Sequence, residues 1–331
     1  MHDVRTFLSR NDKQISKSIK RFFTRFHVSS ALKASNAYKK KGLPVMEFFQ
    51  YLFLLIFSNR SMYMNLITGR NTPDFAKDTV YRFMKMIQIN WIRFTTILST
   101  RIIRDAILPL DSEDRANVLI IDDSMFEHNR SKKVELLAKV YDHAKHKYRF
   151  GFRMLTLGWS DGSTFLPVNS VLLSTENRKN RINEATEVDK RTVGYKRKEY
   201  LCLISTDVNL DENEIIRIYG KRWDIEVFFK VCKSYLNLSK ECNSLSYDAM
   251  TAHTAVVFTR YLMLSLESRE SNDNRSLREL FLYFSDEMSD ITWIQAFQML
   301  LQMFRTMLLD NTELSDEKIN EIQQQKGGLS K

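Results

Sequence analysis

Glycine and proline are scarce in this chain, 9 and 4 among 331 residues. So little turn-forming material argues against an all-β protein and favours helices. Cysteine is nearly as sparse. Cys202, Cys232 and Cys242 are an odd number without CxxC spacing, which excludes a disulfide framework and a cysteine-based zinc site and points to a reducing compartment. No long hydrophobic run is present. The most apolar stretch, Phe48 to Phe57, is too short to span a bilayer and contains Gln50, so it reads as a buried helix. The first residues carry mixed charge and no continuous apolar core, unlike a signal peptide, and a cytoplasmic location is expected. No Gly-rich phosphate loop, dinucleotide fingerprint or Ser-His-Asp order is visible.

What the chain does have is positive charge, 50 basic against 40 acidic residues for a net +10. Residues 1–45 hold eleven lysines and arginines against Asp3 and Asp12, a local +9 (11 minus 2). Clustered cations of this kind neutralise phosphates and release counterions, so a nucleic-acid partner is expected; a solvated basic arm is the alternative.

Periodicity predicts a basic amphipathic helix over 13–27, an apolar helix over 43–66, and a helix opened by Thr72-Pro73-Asp74 that runs through Val80 and Met84. These make a helical N-terminal region, residues 1–110. The pattern then changes. Val118-Leu119-Ile120-Ile121 reads as a buried strand ending in Asp122-Asp123-Ser124, followed by strands over 148–159 and 164–173 around an Asp161-Gly162 turn. A short strand over 200–204 and a helix from Asp211 to about Tyr235 complete a mixed α/β core, residues 111–240. Apolar-patterned helices over 246–267 and 276–309 form a C-terminal region, residues 241–331.

Two features carry chemistry. On the helix after Asp211, Tyr219, Arg222, Glu226 and Lys233 stand at offsets of 3, 7 and 14, within roughly 60° of one another on the helix surface. Apolar residues crowd the other faces, so this stripe should face a site or partner; the bland alternative is an i, i+4 ion pair between Arg222 and Glu226. The second feature is the strand-end Asp122-Asp123. A carboxylate there can hold a divalent cation against a phosphodiester, or simply cap a turn. His143 and His146 lie near Asp142 without completing a zinc set. Basic residues from Arg130 to Arg153, and a second run from Arg178 to Lys198, are either a DNA groove or a solvated face.

Taken together these residues resemble the DDE transposases of bacterial insertion sequences, in the insertion sequence 4 group, whose signature is Y-x2-R-x3-E-x6-K; YGKRWDIEVFFKVCK matches it at every defined position. Ile121-Asp122-Asp123-Ser124 resembles that family's first motif, with Asp122 as the first acid and Asp123 the runner-up. The resemblance implies an α/β, ribonuclease H-like fold. It implies that Asp122 and Glu226 ligate Mg2+ (or Mn2+), and that Tyr219, Arg222 and Lys233 contact DNA. It further implies double-stranded partners, the terminal inverted repeats and target DNA, bound by a possible homo-oligomer. The chain departs from the pattern where a second aspartate should end another buried strand. Asp189 follows no apolar run, Asp207 lies in the loop after YLCLI, and only 104 residues (226 minus 122) separate Asp122 from Glu226. An internal deletion joined near 194–198 is expected, leaving a transposase defective in catalysis; the alternative is a non-catalytic DNA-binding fragment that interferes with an intact relative.

Overall fold

The computed structural model of the chain describes residues 17–57, 62, 75–110, 117–143, 145–175, 177, 179–184, 220, 222–239, 244–270 and 276–285. The chain divides into a compact unit, Ser18–Tyr283, and a second, Met1–Lys17 with Phe284–Lys331. The second lies almost wholly outside the described residues.

The larger unit begins with helices packed through phenylalanine. In α1 (Lys17–Arg25), Ile19 and Phe22 are buried, and Phe26 just after the helix joins them, which is the stripe the sequence predicts. His27 takes a left-handed conformation (φ 49°) and breaks the chain before α2 (Val28–Ala34). α3 (Val45–Leu55) starts after Pro44 and buries Phe48, Phe49, Leu52 and Phe53. It stops at Leu55, short of the expected 66. α4 (Lys77–Met84) follows Ala76, while Thr72-Pro73-Asp74, the expected helix start, lies outside the described residues. Asn90 caps α5 (Trp91–Ile102), its Oδ1 accepting the Arg93 N–H at 2.9 Å. Edge-to-face ring pairs knit this layer, among them Phe23–Phe53 at 4.9 Å and Phe49–Phe94 at 5.1 Å.

Four strands follow: β1 (Val118–Glu127), β2 (Ala138–Asp142), β3 (Lys147–Ser160) and β4 (Phe165–Leu173). All their pairings are antiparallel and all involve β3. β1 lies along one edge of its 151–160 stretch; β2 and β4 share the other edge, at 147–151 and 153–160. The Asp161-Gly162 turn closes β3 onto β4. Asp161 Oδ1 accepts the N–H groups of Ser163 (2.8 Å) and Thr164 (2.6 Å), and Gly162 supplies φ 84°. Pro167, which cannot donate to the ladder, sits where the register slips between Leu157 and Gly158, and its carbonyl accepts from Ser99 of α5 at 2.7 Å. At Gly158 the Phe165 ring lies so close that an added Cβ would fall 2.1 Å from it.

Two expectations about the sheet need correction. β2 is a strand inside what reads as a basic loop. It is five residues long with Lys139 inside it, too short for periodicity to reveal. β1 is not buried on both faces: Ile120 is buried, but Leu119 and Ile121 are 67% and 64% exposed. Their side chains point to the face opposite the helix described next, and only one face of this strand is covered among the described residues.

α6 (Trp223–Ser234) and α7 (Tyr247–Glu270) follow, and residues 277–285 are again helical, the described part of the helix expected over 276–309. Every residue of α7 from Ala252 to Leu266 is buried, so the helix is enclosed on all sides, its hydroxyls bonding back along the helix (Thr254 to Met250 O at 3.0 Å, Thr259 to Ala255 O at 2.8 Å), and it forms the centre of the unit, touching α3, α4, α5, β4 and α6. Its one large charge inside, Arg260, is 1% exposed. The guanidinium donates to the carbonyls of Phe53 (3.0 Å) and Leu52, satisfying the C-terminal end of α3. No helix among the described residues is long and apolar enough to cross a membrane.

Candidate active site

The site is set by the pleat of β1. Asp122 pairs with Thr156 and Ser124 with Met154 across β3, so Ile120, Asp122, Ser124 and Phe126 share one face. Asp123 falls on the other face, where it forms an ion pair with Arg153. Alternation thus separates the two adjacent aspartates. The strand does not end at Asp122, as expected; it runs on to Glu127. Ser-Met-Phe-Glu continues the alternation, and Phe126 is fully buried.

α6 brings the other groups. Ile225, Phe228, Phe229, Val231 and Cys232 are buried; Phe228 packs on Phe165 (5.2 Å) and Tyr261 (4.8 Å), which anchors α6 to the sheet and to α7. Ser160 Oγ donates to Asp224 Oδ2 at 3.0 Å and fixes its first turn. Held in this way, α6 turns its charged stripe toward β1. Arg222 Nη1 lies 3.0 Å from Asp122 Oδ2 and its Nη2 lies 2.8 Å from Glu226 Oε1. Lys233 Nζ donates to Ser124 Oγ at 2.5 Å. The i, i+4 ion pair therefore exists, but as half of a bridge in which one guanidinium joins carboxylates from two different elements. Tyr219 lies outside the described residues. Trp223 and Val227, expected to be buried, are 66% and 40% exposed on the side of α6 away from its core contacts.

Burial, together with the neighbouring charges of Asp123 and Glu226, holds the Asp122 carboxyl above its ordinary range; the Asp123 N–H and Arg222 only partly oppose this. Burial likewise lowers the Lys233 ammonium, against the pull of Glu127 and Asp142. The Cys232 thiol is pushed well up by burial, so this cysteine is packing and not a nucleophile.

The donor set can be compared with what a metal needs. Two hard oxygen donors converge on one cationic point, which suits Mg2+, since that ion takes one or two carboxylates and completes its shell with water and phosphate oxygens. Among the described residues no group of three or more His, Cys, Asp or Glu could hold a metal. Asp189 and Asp207 both lie outside them.

The remaining basic residues separate into engaged and exposed. Lys145 and Arg149 pair with Glu127, whose carboxyl is lowered because their hydrogen bonds outweigh its burial. Lys139 lies over the Tyr148 ring at 5.3 Å, and His143 packs on Tyr141 at 5.0 Å. Arg130, Lys132, Lys133 and Lys147 are exposed. In α1, Arg21 and Arg25 are tied to Glu267 (2.7 Å) and Glu270 (2.5 Å) at the end of α7, which narrows the free N-terminal charge; Lys20, Lys33, Lys40 and Lys41 are exposed. The run 185–198 lies outside the described residues.

A mixed α/β chain with an antiparallel sheet that carries carboxylates opposite a helix is an architecture consistent with a ribonuclease H-like fold. Residues 50–214 match the family described as DDE superfamily endonuclease, 165 of 331 positions (214 − 50 + 1). The match supports a DDE transposase or nuclease family and, with it, DNA as substrate. It includes Asp122 and stops 12 residues before Glu226 (226 − 214), so the α6 stripe stands outside it. No curated protein matches the chain.

Proposed function

We propose that this chain is an insertion-sequence transposase of the insertion sequence 4 type, acting in the cytoplasm on transposon ends. The observation that carries the reading is the Arg222 bridge, which brings the carboxylates of Asp122 and Glu226 to one point from β1 and α6. Asp122 and Glu226 would hold Mg2+ (or Mn2+), which when bound activates an attacking oxygen and stabilises a leaving one at phosphorus. Arg222, with Tyr219, contacts phosphate near the transposon end, and Lys233 contacts the DNA terminus; a bidentate guanidinium suits a phosphodiester. The partners are double-stranded DNA, in the form of terminal inverted repeats and target, and a second copy of the chain on that DNA. Residues 1–110 serve as the basic DNA-binding region, 111–240 as the catalytic core and 241–331 as its helical support.

The interval from Asp122 to Glu226 is short, and between β4 and the helix expected from Asp211 the sequence offers only Asp189, which follows no apolar run, and Asp207, in the loop after YLCLI, so we read the core as internally shortened near 194–198. Two carboxylates without a shared third leave a two-metal arrangement incomplete. The purified chain should therefore bind DNA of its flanking inverted repeats yet neither nick it nor join it with Mg2+ or Mn2+. Strand transfer that is present in the wild type and abolished by Glu226→Gln would overturn the defect and leave the transposase reading standing. A chain that binds the repeats, does not cut them and lowers cutting by an intact relative would instead support the non-catalytic, interfering role.

A further inference from the structure

We infer that Arg222 is a cation latch on the carboxylate pair: its guanidinium and a divalent metal compete for Asp122 and Glu226, and a phosphodiester releases the latch. This rests on the metal-binding reading of the two carboxylates.

Three observations lead to it. The guanidinium uses two different nitrogens, Nη1 toward Asp122 and Nη2 toward Glu226, at 3.0 and 2.8 Å, so it stands where the two carboxylates meet. A cation between two acids offsets their mutual repulsion in this half-buried place; a metal that took both oxygens would have to displace it or crowd it as a like charge. Arg222 also sits at the N-cap of α6 with its side chain 38% exposed. From the first turn of the helix it can swing outward while Phe228 and the Asp224–Ser160 bond keep α6 in place. What it would meet outside is anionic if DNA is bound, and a phosphate offers the same two-oxygen geometry as the carboxylates it leaves.

Metal and DNA then become linked. If phosphate takes Arg222 off the carboxylates, DNA tightens metal binding, and metal tightens DNA binding by the same factor. Without DNA the guanidinium offsets one of the two carboxylate charges. Lys233 does not substitute in this role, because its ammonium is engaged by Ser124 at 2.5 Å.

The test is Mn2+ binding by the full chain, read as free Mn2+ by electron paramagnetic resonance, with and without a mixed-sequence DNA duplex. Arg222→Gln without DNA should bind Mn2+ roughly tenfold tighter than wild type, the effect of removing one charge-assisted competitor. It should also lose most of the DNA-induced gain that the wild type shows. Arg222→Lys keeps the charge with a single nitrogen that cannot span both acids, and should fall between the two. Its melting curve, beside that of Arg222→Gln, shows whether either variant is folded. Equal or weaker Mn2+ binding by both folded variants, with Glu226→Gln still weakening it, overturns the latch and keeps the metal site. Binding that is indifferent to Glu226→Gln in every background overturns the metal site itself, and the latch with it.

Discussion

Two parts of the larger unit are built on opposite terms. Around α7 the interior is mostly phenylalanine and aliphatic carbon, and the charge buried within the helix, Arg260, is satisfied by backbone carbonyls, those of α3 among them. Along the seam between β1 and α6 the interior is ionic, and Asp122 and Lys233 are both held away from their ordinary titration by burial. The first region stabilises the fold. The second costs stability and keeps groups ready for a charged partner, the usual balance at a functional site.

Substitutions can break that contrast, and the largest effect belongs to the helical centre. Phe228→Ala removes a fully buried ring at the junction of α6, β4 and α7 and should cost about 3–5 kcal/mol in denaturant unfolding. A loss under ~1 kcal/mol would mean that α6 is not anchored there. Gly158→Ala comes next. Its methyl would collide with Phe165, and about 1–3 kcal/mol should be lost by the same measurement.

The seam should behave the other way. The Asp122 carboxyl is raised in the folded chain, so its contribution to stability is complete at acid pH and is lost as pH rises through the raised value. At neutral pH the ionised group is a burden. Asp122→Asn should therefore raise the melting temperature at pH 7, with a gain that shrinks as the pH falls through the carboxylate range. A variant less stable than wild type at pH 7 would show that the Arg222 pair outweighs burial. Smallest of all, Trp223→Ala should leave stability within about 0.5 kcal/mol, because the indole is mostly in water.

Much of this was legible before any coordinates. Strands β3 and β4, the Asp161-Gly162 turn and the long apolar helix α7 follow from period and turn chemistry, since each is long or carries a strong local signal. The spacing of Arg222, Glu226 and Lys233 predicts a stripe facing a site, and that stripe meets β1. The rest depends on pairing that no single segment states. β1 runs past its polar centre because β3 supplies a ten-residue partner. β2 is a strand because β3 extends beyond β4. Asp122 and Asp123 are chemically alike in the sequence, and only the pleat assigns one to Arg222 and the other to Arg153. The burial of Arg260 could not be read either, as its partners are backbone carbonyls, two of them more than 200 residues away.

The place of α7 in the chain bears on how the protein is made. The last described strand ends at Leu173, and the two later helices that pack on the sheet, α6 and α7, begin at Trp223 and Tyr247, 50 and 74 residues on (223 − 173 and 247 − 173). During synthesis the apolar face of the hairpin emerges well before its cover. For that interval the nascent chain presents Phe152 and Phe165 without Phe228 of α6 and Tyr247 and Tyr261 of α7, the rings that pack on them. A ribosome that stalls in this window would release an adhesive fragment and not a folded domain.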